Sequence, residues 1–121
     1  MFRIKPNQLA SFVAAASATF PERMVEFLQR EMPEVCDAET AGRVEQAILR
    51  AHRWGLWVDL DVSTFVVLVF THGPRFDEEP WAEEPLARSD VPVSTRIHLA
   101  YEAAIRRMLI EDTAMARKEA Q

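Results

Sequence analysis

A chain of 121 residues, 49% hydrophobic and 27% charged, is long enough for one packed core and too short for two ordinary domains, which excludes disorder for its bulk. Three glycines argue against a loop-rich sandwich or barrel, and a net charge of −5 supplies no broad positive field for gripping phosphates, so nucleic acid is not an expected partner. The lone cysteine, Cys36, cannot close an internal disulfide, and no basic stretch leads into an apolar run with a small-residue cleavage site; both point to the cytoplasm.

The N-terminal third carries an apolar stripe at helical spacing: Leu9, Phe12, Val13, Ala16 and Phe20, resuming in phase at Met24, Phe27 and Leu28. Pro21 interrupts it, because a proline inside a helix loses one backbone hydrogen bond and its ring meets the carbonyl of Ser17. The preserved phase predicts a kinked helix rather than a wide break. Pro6 suits a first helical turn, and Pro33 helps to end the segment.

A second helix is expected from about Asp37, whose carboxylate can cap free amides, to about Trp54, with Gly55 just past its end. Val44, Ala47, Ile48 and Ala51 form its apolar face. Gly42 costs up to about 1 kcal/mol inside a helix, so the start can also lie later, with Thr40 as the cap.

The run Val62 to Phe70 has no decisive period, and its β-branched residues fit a strand as well as a helix. Asp59 and Asp61 as caps, Gly73-Pro74 as a stop and the lack of a second strand-like run select a buried helix. The run is about half the roughly 20 residues that a membrane span needs. All-round apolarity places this helix at the centre, with others packed around it.

Residues 73–92 read as a long connection rich in proline and acid, with one helical turn available from Trp81 to Ala87. A last helix starts near Pro92 to Ser94, puts Ile97, Tyr101, Ala104, Ile105, Met108 and Met115 on one face, and frays after about Arg117. The expected fold is therefore all-α: one domain over residues 1–121, frayed at 118–121, a compact bundle of four to five helices around a central apolar helix, with a long acidic loop.

Nucleophilic catalysis would need Cys36 or a serine beside an oriented base, and the spacing of His52, His72 and His98 suggests no triad. Acid-bearing segments on both sides of Cys36 disfavour its thiolate. The histidines are too dispersed for a zinc site, and one cysteine builds no thiolate centre, so neither metal nor cofactor is expected. Each histidine is read as packing along a helix edge.

The segment Phe76 to Pro85 concentrates Asp77, Glu78, Glu79, Glu83 and Glu84 around Phe76 and Trp81. Paired-carboxylate catalysis needs a concave pocket that separates two pKa values, which a proline-punctuated loop builds poorly. The glycine-turned twelve-residue calcium pattern is missing. Two readings stay open: the aromatics anchor the loop to the core with the acids solvated, or aromatics and acids together form a contact surface. The candidate partner-binding residues are Phe76, Asp77, Glu78, Glu79, Trp81, Glu83 and Glu84. Arg96, Arg106 and Arg107 could answer these acids from within the molecule, and Trp54 and Trp57 carry the same duality of core and contact.

Gly55, Asp61-Val62, Phe70, Gly73, Phe76-Asp77 and Trp81-Ala82, within His52 to Leu86, resemble a pattern in small helical proteins encoded beside type VI secretion effectors and their adaptors. The flanking helices agree in length and amphipathic character, whereas the valine-rich helix and the short Asp77 to Trp81 spacing depart from the pattern. The resemblance implies an accessory role in effector delivery, such as a co-chaperone for an adaptor, and no enzymatic activity. The alternative is an immunity protein, an acidic surface covering a toxin's basic cleft. A carboxylate-dependent hydrolase ranks behind both. The expected partner is another protein, with self-association left open.

Overall fold

The computed structural model describes the backbone of residues 19–120 and the side chains of 19–112. Among these residues there are five α-helices, two 3-10 turns and no strand, and no helix is long and apolar enough to cross a membrane. We number the helices α1 (Phe20–Glu31), α2 (Thr40–Arg53), α3 (Asp59–His72), α4 (Pro80–Leu86) and α5 (Val93–Ala120). Pro6 and the Leu9, Phe12, Val13 and Ala16 stripe lie outside the described residues, as does the Met115 side chain.

Helix α1 corrects the kink expected at Pro21. Thr19 is extended, with φ −65° and ψ 160°, and the proline stands in the first turn of a helix that begins at Phe20. There its missing N–H is one that no preceding carbonyl would have taken, and its fixed φ suits the helix. Met24, Phe27 and Leu28 are buried as the stripe requires, and Pro33 follows the end of the helix in a 3-10 turn over Pro33–Val35.

Helix α2 starts later than Asp37, but neither expected cap is used: Thr40 is its first residue, and Glu39 stands at the N-cap without a side-chain capping bond. Asp37 Oδ1 accepts the Glu39 N–H at 2.8 Å, and Thr40 Oγ1 accepts the Asp37 N–H at 2.8 Å while donating to the Asp37 carbonyl at 2.9 Å. These short-range bonds occupy the polar groups in a turn ahead of the helix, which moves its first residue to Thr40. Val44, Ala47 and Ala51 are buried, with Ile48 packed beside them. The helix ends in a Schellman motif: Leu56 N–H reaches the Ala51 carbonyl at 3.1 Å, Gly55 N–H reaches that of His52 at 3.0 Å, and Gly55 has φ +84°.

The ambiguous apolar run is helix α3, lying between α2 and α5. Val62, Ser63 and Phe65 to Phe70 are buried. Ser63 and Thr71 donate their hydroxyls to the carbonyls of Asp59 and Val67, so these polar side chains enter the helix without an unmet hydrogen bond. Asp59 and Asp61 make no capping bond, contrary to expectation. They sit within the first turn, where the helix dipole favours negative charge, with Asp59 3.4 Å from Arg23 of α1. Gly73 ends α3 with φ +110° and ψ 158°. Pro74 pushes the preceding residue to an extended ψ, and only glycine combines that with a positive φ.

The acidic segment is mostly helical rather than an open loop. A 3-10 turn covers Phe76–Glu78, and α4, whose last turn contains Pro85, lies along α5. On α5 the buried residues Ile97, Ala100 and Ala104 are mostly small, which allows close approach to α3 and α4, while Tyr101 sits at the margin. Helix α5 continues past Arg117 to Ala120.

Candidate protein-binding surface

The seven residues singled out in the acidic segment fall into three environments. Phe76 is 1% exposed and packs against Phe65 with ring centroids 4.9 Å apart; Asp77 is 3% exposed. Neither belongs to the surface. Trp81 is half-buried: it stacks on Phe76 at 6.0 Å, meets the edge of His72 at 5.2 Å, and lies 5.4 Å from the Arg107 guanidinium. Its indole N–H donates to Glu79. Glu78, Glu79, Glu83 and Glu84 are exposed.

Asp77 turns inward because α2 presents two donors to it. Arg50 Nε lies 2.8 and 2.7 Å from its two carboxylate oxygens, and the Trp54 indole N–H donates to Oδ2 at 2.8 Å. A buried carboxylate is tolerable only when paired and hydrogen-bonded in this way. Sequence reading missed both donors. Their signal was the four-residue spacing of Arg50 and Trp54, which puts them on one edge of the helix beside the apolar face. Arg75 hydrogen-bonds to Glu78 and holds its carboxyl below the ordinary value, while Arg50 lies 3.6 Å away. The arginines of α5 do not form ion pairs with the acids: Arg96 donates to the Val91 carbonyl and Arg107 pairs with Glu111 at 3.4 Å.

The two tryptophans flanking Gly55 part company. Trp54 packs against the core, whereas Trp57 is 68% exposed and stacks on the His52 ring at 4.0 Å, with Val58 61% and Leu60 41% exposed beside it in sequence. His98 lies 3.0 Å from Glu102 on the surface of α5. Cys36 is half-buried, its thiol 3.5 Å from the Met32 carbonyl.

A groove of about 800 Å³ runs along the outer face of α2, with Pro74 and Arg75 opposite and Ala47 and Val69 among its lining. Arg43, Arg50, Arg53 and Arg75 line it against a single carboxylate, Glu39. The Arg43 guanidinium lies over the Phe70 ring, 4.3 Å from its centroid, donates to the Val35 carbonyl at 3.3 Å and stands 3.8 Å from Asp37. Arg53 shares a smaller hollow, about 440 Å³, with Trp54 and Glu83. The chain matches no protein-family model, no characterised protein and no solved structure.

Proposed function

We propose that this chain is a non-enzymatic protein-binding factor that acts in the cytoplasm as an accessory to delivery of a type VI secretion effector, through the effector's adaptor. The observation that carries the binding role is the outward-turned Trp57, Val58 and Leu60, since burying large exposed apolar side chains is what anchors a protein interface. The type VI assignment rests on the resemblance carried by Gly55 to Ala82. The same reading moves the main contact from the acidic segment to the connection between α2 and α3.

An immunity role is the second reading, favoured by Glu79, Glu83 and Glu84, which display negative charge along the exposed side of α4. Co-purification on a tagged copy separates the two. Retention of an adaptor supports the accessory role; stoichiometric retention of a toxin that loses its activity supports immunity. A Trp57→Ala, Leu60→Ser double variant is expected to keep its fold and release the partner. Undiminished capture by that variant removes the α2–α3 connection as the contact.

A further inference from the structure

The groove along α2 carries information that neither the resemblance nor the acidic segment supplied. Its lining runs from the N-cap Glu39 along α2 through Gly42 and Arg43, Gln46 and Ala47, and Leu49 and Arg50 to Arg53, a stripe of three- and four-residue steps. Fourteen steps at about 1.5 Å each give it a length of roughly 21 Å, that of a four-turn helix. The concavity is therefore elongated, with α2 as one wall and Pro74-Arg75 as the other.

Gly42 is the anomaly within it. It is the third residue of α2; glycine within a helix is unfavourable relative to alanine, and a buried neighbour that leaves no room for a Cβ is the usual structural reason to keep one. Here a Cβ would meet nothing within 4 Å. No backbone strain requires it either, since only Gly55 and Gly73 have positive φ. The missing side chain serves nothing inside the described part of the chain. It does leave the wall of the groove open to close approach by another backbone.

Charge supplies the second observation. On a chain of net charge −5, this is a surface where four arginines face one carboxylate. Three of the four are answered from within the chain: Arg50 by Asp77 and Glu78, Arg75 by Glu78, and Arg43, braced on Phe70, by Asp37 at 3.8 Å. Arg53 is exposed and makes no ion pair or side-chain hydrogen bond among the described residues, although Glu83 lines the same hollow. Its planar, multi-donor head suits a carboxylate. Leu49, 54% exposed, lies one turn away on the same stripe and offers the apolar contact.

From these features we infer that the groove receives an acidic amphipathic helix of a partner protein, its backbone close against Gly42, an apolar side chain on Leu49 and a carboxylate on Arg53. This rests on the reading that the chain binds a protein, and it adds a second contact on the same α2 helix that carries His52 beneath Trp57. The occupant is recognised as helices are recognised in grooves, by one apolar stripe and the charge beside it.

A display library of random 16-residue peptides, selected on the whole folded chain, tests the groove without knowledge of the natural partner. Selected peptides are expected to share acids beside aliphatic residues at three- and four-residue spacing. Arg53→Glu and Gly42→Leu are each expected to weaken their binding at least about tenfold, and added salt to weaken it further. Gly42→Ala is expected to raise the melting temperature by a few degrees while weakening peptide binding, a pairing that a merely structural glycine would not produce. Selection of peptides without acids, binding unchanged in Gly42→Leu and Arg53→Glu, or no selection at all overturns the proposal. Concentration-dependent dimerisation abolished by the same two substitutions also overturns it, in favour of a second copy as occupant. Because Trp57 and Leu60 lie outside the groove lining, loss of co-purification in their double variant with a silent groove rejects this inference alone; peptide binding with no natural capture rejects the other.

Discussion

Two short stretches of this chain have the same ingredients and opposite fates. Phe76 to Trp81 and Trp54 to Leu60 each combine large aromatic or aliphatic side chains with carboxylates, three in the first and Asp59 alone in the second, yet the first folds inward around Asp77 while the second turns Trp57, Val58 and Leu60 to the outside. Local composition left both stretches open between core packing and contact surface. What decides the matter is the partner across the fold. Arg50 and Trp54 draw Asp77 into the interior, and among the described residues nothing comparable reaches Trp57 beyond the His52 ring.

The largest expected effect breaks the inward stretch at its polar centre. Asp77→Ala leaves the Arg50 guanidinium and the Trp54 indole without their acceptor in a mostly buried site, and is expected to cost about 3–5 kcal/mol in urea unfolding. Against a typical domain stability of roughly 5–15 kcal/mol, that is a large share. A double-mutant cycle with Arg50→Met is expected to show strong coupling. Additive losses would mean that Asp77 is held by packing and not by these donors.

How far the sequence could be read follows the same line. Helices that bury one regular face were legible, because apolar spacing alone specifies them: Met24, Phe27 and Leu28 on α1, Val44, Ala47 and Ala51 on α2. Helix α3 was legible despite its valines, through its flanking acids and the Gly73-Pro74 stop. Pro21 was misread because the stripe before it keeps its phase on either interpretation, and only the extended backbone at Thr19 tells a start from a kink. Of the candidate site, the exposure of Glu78, Glu79, Glu83 and Glu84 was legible. The inward turn of Asp77 was not, since it depends on an ion pair between residues 27 apart in the chain.

The next effect compares one tryptophan from each stretch. Trp81→Ala removes contacts to Phe76, His72 and Arg107 and is expected to cost about 2 kcal/mol, less than a fully buried tryptophan because the ring is half-exposed. Trp57→Ala is expected to stay within about 0.5 kcal/mol of the parent. Trp57 is therefore the clean probe of partner binding, and any binding defect in Trp81→Ala must first be corrected for stability. Equal stability losses at the two positions would dissolve the distinction between the stretches.

A smaller effect tests the turn that separates Trp54 from Trp57. Gly55 holds φ +84°, and a Cβ there would lie 3.8 Å from Val93, an ordinary contact, so space is available and conformation is the only obstacle. Gly55→Ala is expected to lose about 1–2 kcal/mol, the cost of a left-handed backbone in an L-residue. Gly42→Ala on the same helix is expected to change stability in the opposite direction. If both substitutions moved melting in the same direction, the Schellman turn would not be what steers Trp57 outward.

The smallest effect reads the inward stretch by pH. His72 lies against Trp81, and burial lowers its pKa from the ordinary 6.5, with Arg107 lowering it further and Glu79 and Glu111 opposing. The lowered folded value means that the unfolded chain binds the proton more readily. Stability from this group is thus complete above about pH 6.5 and declines as pH falls from there through the lowered folded value. His72→Phe keeps a ring beside Trp81 and removes the titration. Its stability relative to the parent is expected to be level above neutrality and to rise steadily between about pH 6.5 and pH 5, a window above the ordinary titration range of the carboxylates. A flat difference over that window would place His72 in solvent, and with it the outer edge of the packing that turns Phe76 and Trp81 inward.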